Sequence, residues 1–206
     1  MLISRIFTAL VLLPLVIYCI LFLANGQFAL VLAGIVLLAA HEWTNFIKLS
    51  TQTHKFLYVL LVAMVLGVLW LLKDGIPIFM LNSLTAVFWS YSLYLVLFYP
   101  SSAQLWKNKP VVIGLIGLIL FSLTWSTLVA IHALEEITLG QTPFSGPFLV
   151  LAVMILVWAA DTGAYFAGRQ WGKNKLAPLV SPGKSREGVY GGLFLAIGIA
   201  CSFVWW

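Results

Sequence analysis

The chain has 206 residues, of which 63% are hydrophobic and only 8% are charged. A soluble domain could not bury so much apolar surface, whereas side chains in a bilayer can face lipid, so the composition excludes a soluble globular protein and indicates an integral membrane protein. Lys and Arg (11) outnumber Asp and Glu (6), an excess that membrane topology alone can produce, and we expect no nucleic-acid partner.

Seven apolar runs follow one another along the chain, and most reach the ~20 residues that a helix needs to cross the hydrocarbon core. Helices are expected because lipid offers backbone groups no other hydrogen-bond partner. The first run follows Arg5 and is long for a signal peptide, so we interpret it as an uncleaved helix. The expected fold class is all-α, a polytopic transmembrane helical bundle of about seven spans in a single membrane domain, 1–206. The runs are 6–24, 28–47, 56–72, 76–99, 111–134, 147–168 and 189–206.

The charged residues between these runs alternate along the chain. Arg5 precedes the first run, and basic residues follow the second, fourth and sixth runs, whereas the other connections are uncharged, balanced or acidic. Because cytoplasmic loops carry the excess of Lys and Arg, the pattern predicts a multi-pass protein of the cell's inner (plasma) membrane with a cytoplasmic N-terminus. Every basic residue except Lys73 then falls on the cytoplasmic side.

The connection after the sixth run, the loop 169–188, is the longest and the most basic. It contains Arg169, Lys173, Lys175, Lys184 and Arg186. Such a concentration of cations at a membrane surface favours either anionic lipid head groups or a polyphosphate ligand, and the charges alone leave both open.

The tripeptide at 183–185, Gly-Lys-Ser, is the ending of a nucleotide-binding P-loop. The full pattern needs a glycine five residues before its second glycine and a strand ahead of it, but this chain has Pro178 there and an apolar helix ahead of it. We therefore exclude a P-loop. Serines and backbone amides at the start of the last helix could still bind an anion, because a helix N-terminus favours negative charge.

Asp161 lies within the sixth run, about 10 Å from the cytoplasmic boundary at the rise of an α-helix. An ionised group at that depth is costly unless it is paired or hydrated, so it indicates a functional site. Tyr165 and Arg169 follow on roughly the same helix face. A purely structural Asp161–Arg169 contact remains the alternative. Small residues that would permit close packing of another helix form a row: Ala160, Ala164 and Gly168.

Glu42 lies near the cytoplasmic end of the second run, at a depth similar to that of Asp161. The two carboxylates could frame one cavity open to the cytoplasm, and pairing of Glu42 with Lys48 is the alternative. His41, His54 and His132 have no second ligand at a suitable spacing, so we do not expect them to bind a metal.

The run from Trp158 to Gly192, WAADTGAYFAGRQWGKNKLAPLVSPGKSREGVYGG, resembles the core of the phosphatidate cytidylyltransferases, also called CDP-diacylglycerol synthases. That family follows the outline WxxDTxAYxxGRxxGKxKLxPxxSPxKTxEGxxGG. The chain departs from it at Ser185, where Thr is usual, and at Arg186, where Trp is usual. The first change keeps a hydroxyl, and the second replaces a large aromatic group with a charge.

The resemblance implies transfer of a cytidylyl group from CTP to phosphatidate, which gives CDP-diacylglycerol and diphosphate in phospholipid biosynthesis. It also implies Mg²⁺ as cofactor, with CTP, phosphatidate and membrane lipids as partners and a homodimer as an assembly to consider. Asp161 would bind the metal and act in catalysis with Lys173, Lys184 and Glu187. The substrates would be bound by Tyr165, Arg169, Lys175, Ser181, Ser185 and Arg186.

Other interpretations remain open at this point. The chain lacks the C-terminal signature that gives the family further acidic residues for its metal, so we expect a truncated or fragmentary member, which could be inactive alone. A CTP-dependent kinase of a long-chain lipid alcohol would use a similar basic loop but transfer the γ-phosphate. A membrane transporter would also carry intramembrane acids, although the inverted repeats and broken helices typical of transporters are not visible in the sequence.

Overall fold

The computed structural model of the protein describes residues 2–139 and 142–204, which form seven α-helices and two short antiparallel hairpins. The helices are α1 (Leu2–Phe22), α2 (Asn25–Ile47), α3 (Gln52–Leu72), α4 (Ile78–Leu97), α5 (Pro110–His132), α6 (Gly146–Trp171) and α7 (Arg186–Val204). The strands are β1 (Ile137–Leu139), β2 (Thr142–Phe144), β3 (Lys175–Ala177) and β4 (Ser181–Ser185).

The all-α membrane architecture predicted from the sequence is confirmed. The helices α2 to α6 are each long and apolar enough to cross a bilayer, so the protein is a multi-pass membrane protein. The count of seven spans stays a prediction for α1 and α7, whose described residues do not meet the same measure of length and hydropathy.

Local signals determine where several helices begin and end. The helix α3 begins after Thr51, whose Oγ1 accepts a hydrogen bond from His54 N (3.3 Å). Pro110 and Pro147 occupy the first turns of α5 and α6, where the missing N–H would have had no helical partner. The helix α2 ends where Lys48 adopts the left-handed conformation (φ 62°).

The core lies where α1, α2, α3, α5 and α6 meet, and its side chains are mainly aliphatic and aromatic. Two of the polar rings within it donate to backbone carbonyls, since lipid and apolar side chains offer no other partner. Trp125 Nε1 donates to Ala29 O (3.0 Å), and His132 Nε2 donates to Ile20 O (2.9 Å). These bonds connect α5 to α1 and α2, while α4 packs against α5.

The basic connections of the sequence lie together at one end of the bundle, called here the basic end. One cavity at this end is lined by Lys48 after α2, by Tyr99 and Lys107 between α4 and α5, and by Leu179 and Val180 between β3 and β4. A different cavity, at the opposite end, is lined by Asn25 at the start of α2, by Lys73 and Asp74 after α3, and by Ala133 and Leu134 after α5. The alternation of charge along the sequence therefore corresponds to a physical separation of the connections.

The helices α6 and α7 approach each other closely along a row of small residues, called here the α6–α7 seam. A β-carbon added at Gly191 would overlap the Ala167 side chain and come within 2.7 Å of Gly163 O. A β-carbon added at Gly192 would lie 2.7 Å from Ala160 O. The close packing predicted from small residues on α6 is therefore confirmed. The seam consists of Ala160, Gly163, Ala164, Ala167, Gly168, Gly188, Gly191 and Gly192.

The basic connection is shorter and more regular than the sequence predicted. We expected a loop over 169–188, but α6 continues to Trp171 and α7 already begins at Arg186, so only 172–185 lie between the helices. Within that stretch β3 pairs with β4 in the register Lys175↔Ser185 and Ala177↔Ser181. The difference arises because hydropathy marks where a helix leaves the apolar layer, whereas its hydrogen bonding continues through polar residues.

Candidate phosphate-binding site

The basic segment, residues 169–187, comprises the last turn of α6, the β3–β4 hairpin and the first turn of α7. The chain leaves α6 at Gly172, where an added β-carbon would overlap Gly168 O, so the absence of a side chain permits the exit. In the turn between the strands, Val180 N donates to Ala177 O (3.0 Å). Because the α6–α7 seam holds both ends of this segment, two packed helices fix the position of the hairpin.

Asn174 and Glu187 close the base of the hairpin. The backbone amide of Asn174 donates to both carboxylate oxygens of Glu187 (3.1 and 3.2 Å), and Asn174 Nδ2 donates to Oε1 (2.7 Å). Arg186 N donates in turn to Asn174 O (2.8 Å). The backbone amide of Glu187 itself and these Asn174 donors lower the pKa of the Glu187 carboxyl below its ordinary value. Glu187 is therefore ionised at neutral pH and holds the two ends of the hairpin together.

Ser185 joins the hairpin to α7. Its side chain is 6% exposed, and its Oγ accepts a hydrogen bond from Gly188 N (3.1 Å) at the start of the helix. A β-carbon at Gly168 would lie 3.3 Å from this oxygen, and one at Gly172 only 2.8 Å, so glycines make room for the cap. The substrate-binding role of Ser185 stays a prediction, and its hydroxyl already has a structural partner.

The Gly-Lys-Ser tripeptide lies in β4 and continues directly into α7, with Pro178 in the turn before the strand. A P-loop instead places this tripeptide at the end of a glycine-rich loop between a strand and a helix. The geometry agrees with the exclusion of a P-loop.

The cations of the basic segment are all exposed, and none has a carboxylate partner in the part of the chain that the structure describes. There the sole ion pair joins Lys73 to Asp74 at the opposite end of the protein. A short hairpin with so many unpaired positive charges attracts ligands that carry several negative charges, phosphates in particular. The exposed cations are Arg169, Lys173, Lys175, Lys184 and Arg186.

Asp161 is exposed on α6, outside the seam. Arg169 Nη1 donates to the Tyr165 hydroxyl (3.0 Å), so these two residues share a helix face as predicted. The alternative Asp161–Arg169 ion pair is not formed among the described residues. At the rise of an α-helix, Asp161 is about 12 Å along α6 from Arg169. The structure thus places Asp161 and the basic segment on one helix pair without a direct ion pair between them.

Among the described residues, Glu42 does not form the ion pair with Lys48 that was its alternative. Its Oε2 accepts a hydrogen bond from Asn45 Nδ2 (3.4 Å), and Asn45 Oδ1 accepts one from Lys55 Nζ (2.9 Å). Glu42 therefore belongs to a polar chain at the basic end that connects α2 to α3.

The described residues contain no group of three or more potential metal ligands. Asp161 offers one carboxylate, whereas the carboxylate of Glu187 is occupied by Asn174. Mg²⁺ is often bound by one or two carboxylates together with substrate phosphates and water. Asp161 therefore fits as one ligand of an Mg²⁺ site, and the other ligands would have to come from bound phosphates and water.

These features define a class: an integral membrane protein that presents, at one end of a helical bundle, an array of cations with no carboxylate partner among the described residues. The sequence over residues 3–206 matches the cytidylyltransferase family, and the chain belongs to that family. Members of the family generally depend on a divalent metal.

Similarity to two of the relatives extends over nearly all of the chain. It is 38% identical to the phosphatidate cytidylyltransferase of Haemophilus influenzae over 225 residues, which cover 99% of this chain and 73% of the relative. It is 41% identical to that of Pseudomonas aeruginosa over 193 residues, 94% of this chain and 67% of the relative. A shorter match, 44% over 57 residues, relates 28% of the chain to 22% of the Staphylococcus aureus enzyme. The resemblance found in the sequence is confirmed.

Sequence reasoning missed Asn174. Its position between Lys173 and Lys175 was visible, but its partner Glu187 lies 13 residues further on. Only the pairing of β3 with β4 brings the two side chains together, and no periodicity in the sequence indicates that pairing.

Proposed function

We propose that the chain acts as a phosphatidate cytidylyltransferase, which transfers the cytidylyl group of CTP to phosphatidate and releases diphosphate. The observation that carries this proposal is the array of unpaired cations on the basic segment, held in place by the α6–α7 seam. Relatives with this name align with nearly the whole chain, which supports the same reaction.

In this reaction an oxygen of the phosphatidate phosphate attacks the α-phosphorus of CTP, and the bond from that phosphorus to diphosphate breaks. Both substrates and the leaving group are anions, so alignment and charge neutralisation provide most of the catalysis. Lys173 and Lys184 neutralise charge on the transferred and leaving phosphates. The remaining substrate contacts come from Tyr165, Arg169, Lys175, Ser181 and Arg186.

Glu187 and Ser185 contribute to this site by holding other residues in place. Glu187 binds Asn174 and thereby holds the strands that carry the lysines, and Ser185 caps α7. Glu187 is in this respect a positioning residue of the proposed catalytic set.

Asp161 provides one ligand for Mg²⁺ in the proposed enzyme. The metal would supply positive charge that offsets the negative charge of the substrate phosphates. Asp161 is suited to this position because it is a carboxylate without an ion-pair partner among the described residues, on the helix that leads into the basic segment.

The proposal places the basic end on the cytoplasmic side of the inner (plasma) membrane. The excess of Lys and Arg at that end supports this orientation. CTP then reaches the basic segment from the cytoplasm, and phosphatidate reaches it from the adjacent leaflet. A homodimer is the assembly proposed with it.

CTP labelled at one phosphate or the other, in separate tubes, tests the proposal. Membranes that contain the chain receive phosphatidate, Mg²⁺ and CTP labelled at either the α- or the γ-phosphate, and label in the lipid extract is counted. Transfer of α-label, absent from membranes without the chain, is the expected result. Transfer of γ-label to an added long-chain alcohol would identify a kinase instead. Absence of label from the lipid in every tube would contradict activity of this chain on its own.

A further inference from the structure

We propose that a groove at the basic end is a binding site for an anionic glycerophospholipid of the membrane, and this proposal goes beyond the transfer reaction. The groove lies between α2, α4 and α5, is closed on one side by the β3–β4 turn and has a volume of about 700 Å³. That volume falls within the range of roughly 300–1,000 Å³ typical of small-molecule sites.

The walls of the groove are suited to an acyl chain. Phe46 of α2, Leu95 and Val96 of α4 and Ile113 and Ile116 of α5 line it. Burial of methylene groups against such side chains is favourable in proportion to the apolar area removed from water. The groove therefore provides the apolar half of a site for an amphiphile.

The mouth of the groove has the opposite character. Lys48 and Lys107 line it, both are exposed, and neither forms an ion pair in the described part of the chain. No acidic residue is among the described residues that line the groove. Tyr99 and Trp106 line the same groove, and Tyr and Trp are typical of the membrane–water interface, where the lipid head groups lie. The charge complementarity selects a negatively charged head group over a zwitterionic one.

The groove also connects the lipid to the basic segment. Leu179 and Val180, at the tip of the hairpin, line the same groove, and Leu179 is otherwise 71% exposed. An acyl chain in the groove covers these apolar side chains. The bound lipid is therefore a ligand of the hairpin as well as of the helices, whether or not it reacts.

Photo-labelling tests this site without an activity assay. The purified full chain in nanodiscs is exposed to phosphatidylglycerol or phosphatidylcholine, each with a diazirine on one acyl chain, and adducts are mapped by mass spectrometry. We expect saturable adducts of phosphatidylglycerol on Phe46, Val96 or Ile116. Unlabelled phosphatidylglycerol or phosphatidate should compete, whereas phosphatidylcholine and glycerol 3-phosphate should not.

Variants of the mouth complete the test. Replacing both lysines, Lys48→Gln with Lys107→Gln, should weaken competition by anionic lipid about 10- to 30-fold, from the usual strength of a Lys–lipid contact. Lys109→Gln removes the same charge from a residue that does not line the groove and should change competition by less than about 2-fold. Equal labelling by both lipids, adducts confined to other surfaces, competition by glycerol 3-phosphate or an unaffected double variant would each overturn the proposal. If the double variant does not fold, the head-group comparison on the unaltered chain decides.

Discussion

Asn174 gives the Glu187 carboxylate three hydrogen bonds across the base of the β3–β4 hairpin. Both oxygens of the carboxylate accept hydrogen bonds. The backbone amide of Arg186, the residue before Glu187, donates a further hydrogen bond to Asn174 O (2.8 Å). Lys175 and Lys184 lie on the two strands that these bonds join. The spacing of the lysines therefore depends on a contact that involves neither of them.

Loss of this contact should reduce transfer. In Asn174→Ala the carboxylate of Glu187 loses its side-chain donor, and the hairpin is held less firmly. We expect kcat/KM for CTP to fall by up to about 10²-fold, as small displacements of positioning groups do. Hydrogen exchange of residues 172–187 should accelerate in parallel, which loss of a direct substrate contact would not produce. Asn45→Ala removes an amide from the same end of the protein and is the control. Unchanged exchange in Asn174→Ala would contradict the positioning role.

The same contact predicts how the order of the hairpin depends on pH. The pKa of Glu187 in the folded protein is below its ordinary value of 4.5. Its stabilising contribution is therefore complete above that ordinary value and is lost as the pH falls through the lowered pKa. Hydrogen exchange of the hairpin, corrected for intrinsic rates, should show protection decreasing over that acidic range. Glu187→Gln cannot titrate, so its protection should be lower and independent of pH, and a profile like that of the unaltered chain would refute the assignment.

The α6–α7 seam should not tolerate a methyl group. Gly191→Ala would bring a β-carbon against Ala167 and Gly163 O, and overpacking of this kind costs about 1–3 kcal/mol. Gly198 lies on the same helix with nothing within 4 Å of an added β-carbon, so Gly198→Ala is the matched control. We expect a lower midpoint of thermal unfolding in detergent for Gly191→Ala and an equal or higher one for Gly198→Ala. Equal midpoints of unfolding in the two variants would contradict the close packing of α6 against α7.

Asp161 and Lys184 should be required for turnover and dispensable for insertion. Asp161→Asn and Lys184→Ala each remove one charge from the proposed site, and we expect losses of at least about 10²-fold in transfer of α-label to lipid. Asp74→Asn and Lys73→Ala remove the same charges at the opposite end and should retain activity. Membrane content is measured for all four variants by extraction and blotting. Near-normal activity of both site variants would show that the site is assigned incorrectly.

The helices and their separation into two ends could be predicted because lipid imposes simple rules. Apolar runs such as 111–134 can only be helical there, and loops rich in Lys and Arg mark one side. The row of small residues from Ala160 to Gly168 likewise predicted a closely packed partner, which α7 provides.

The hairpin could not be predicted in the same way. Its strands are three and five residues long, and neither alternates between apolar and polar residues. The burial of Ser185 could not be predicted from the sequence either, since the hydroxyl of a serine in such a motif can either bind a ligand or cap a helix. Space for the Ser185 side chain exists because Gly168 and Gly172 have no side chains. These glycines lie close to Ser185 only because of the direction in which the chain leaves α6.

The α6–α7 seam and the hairpin differ in how well they tolerate substitution. Where carbonyl oxygens of one helix lie against α-carbons of the other, glycine is the residue that fits, and substitution would move the whole helix pair. The exposed side chains of the hairpin touch little and can be exchanged without disturbing their supports. In the proposed enzyme, ligand preference could therefore be redesigned at the hairpin while the pair of helices beneath it is left unaltered.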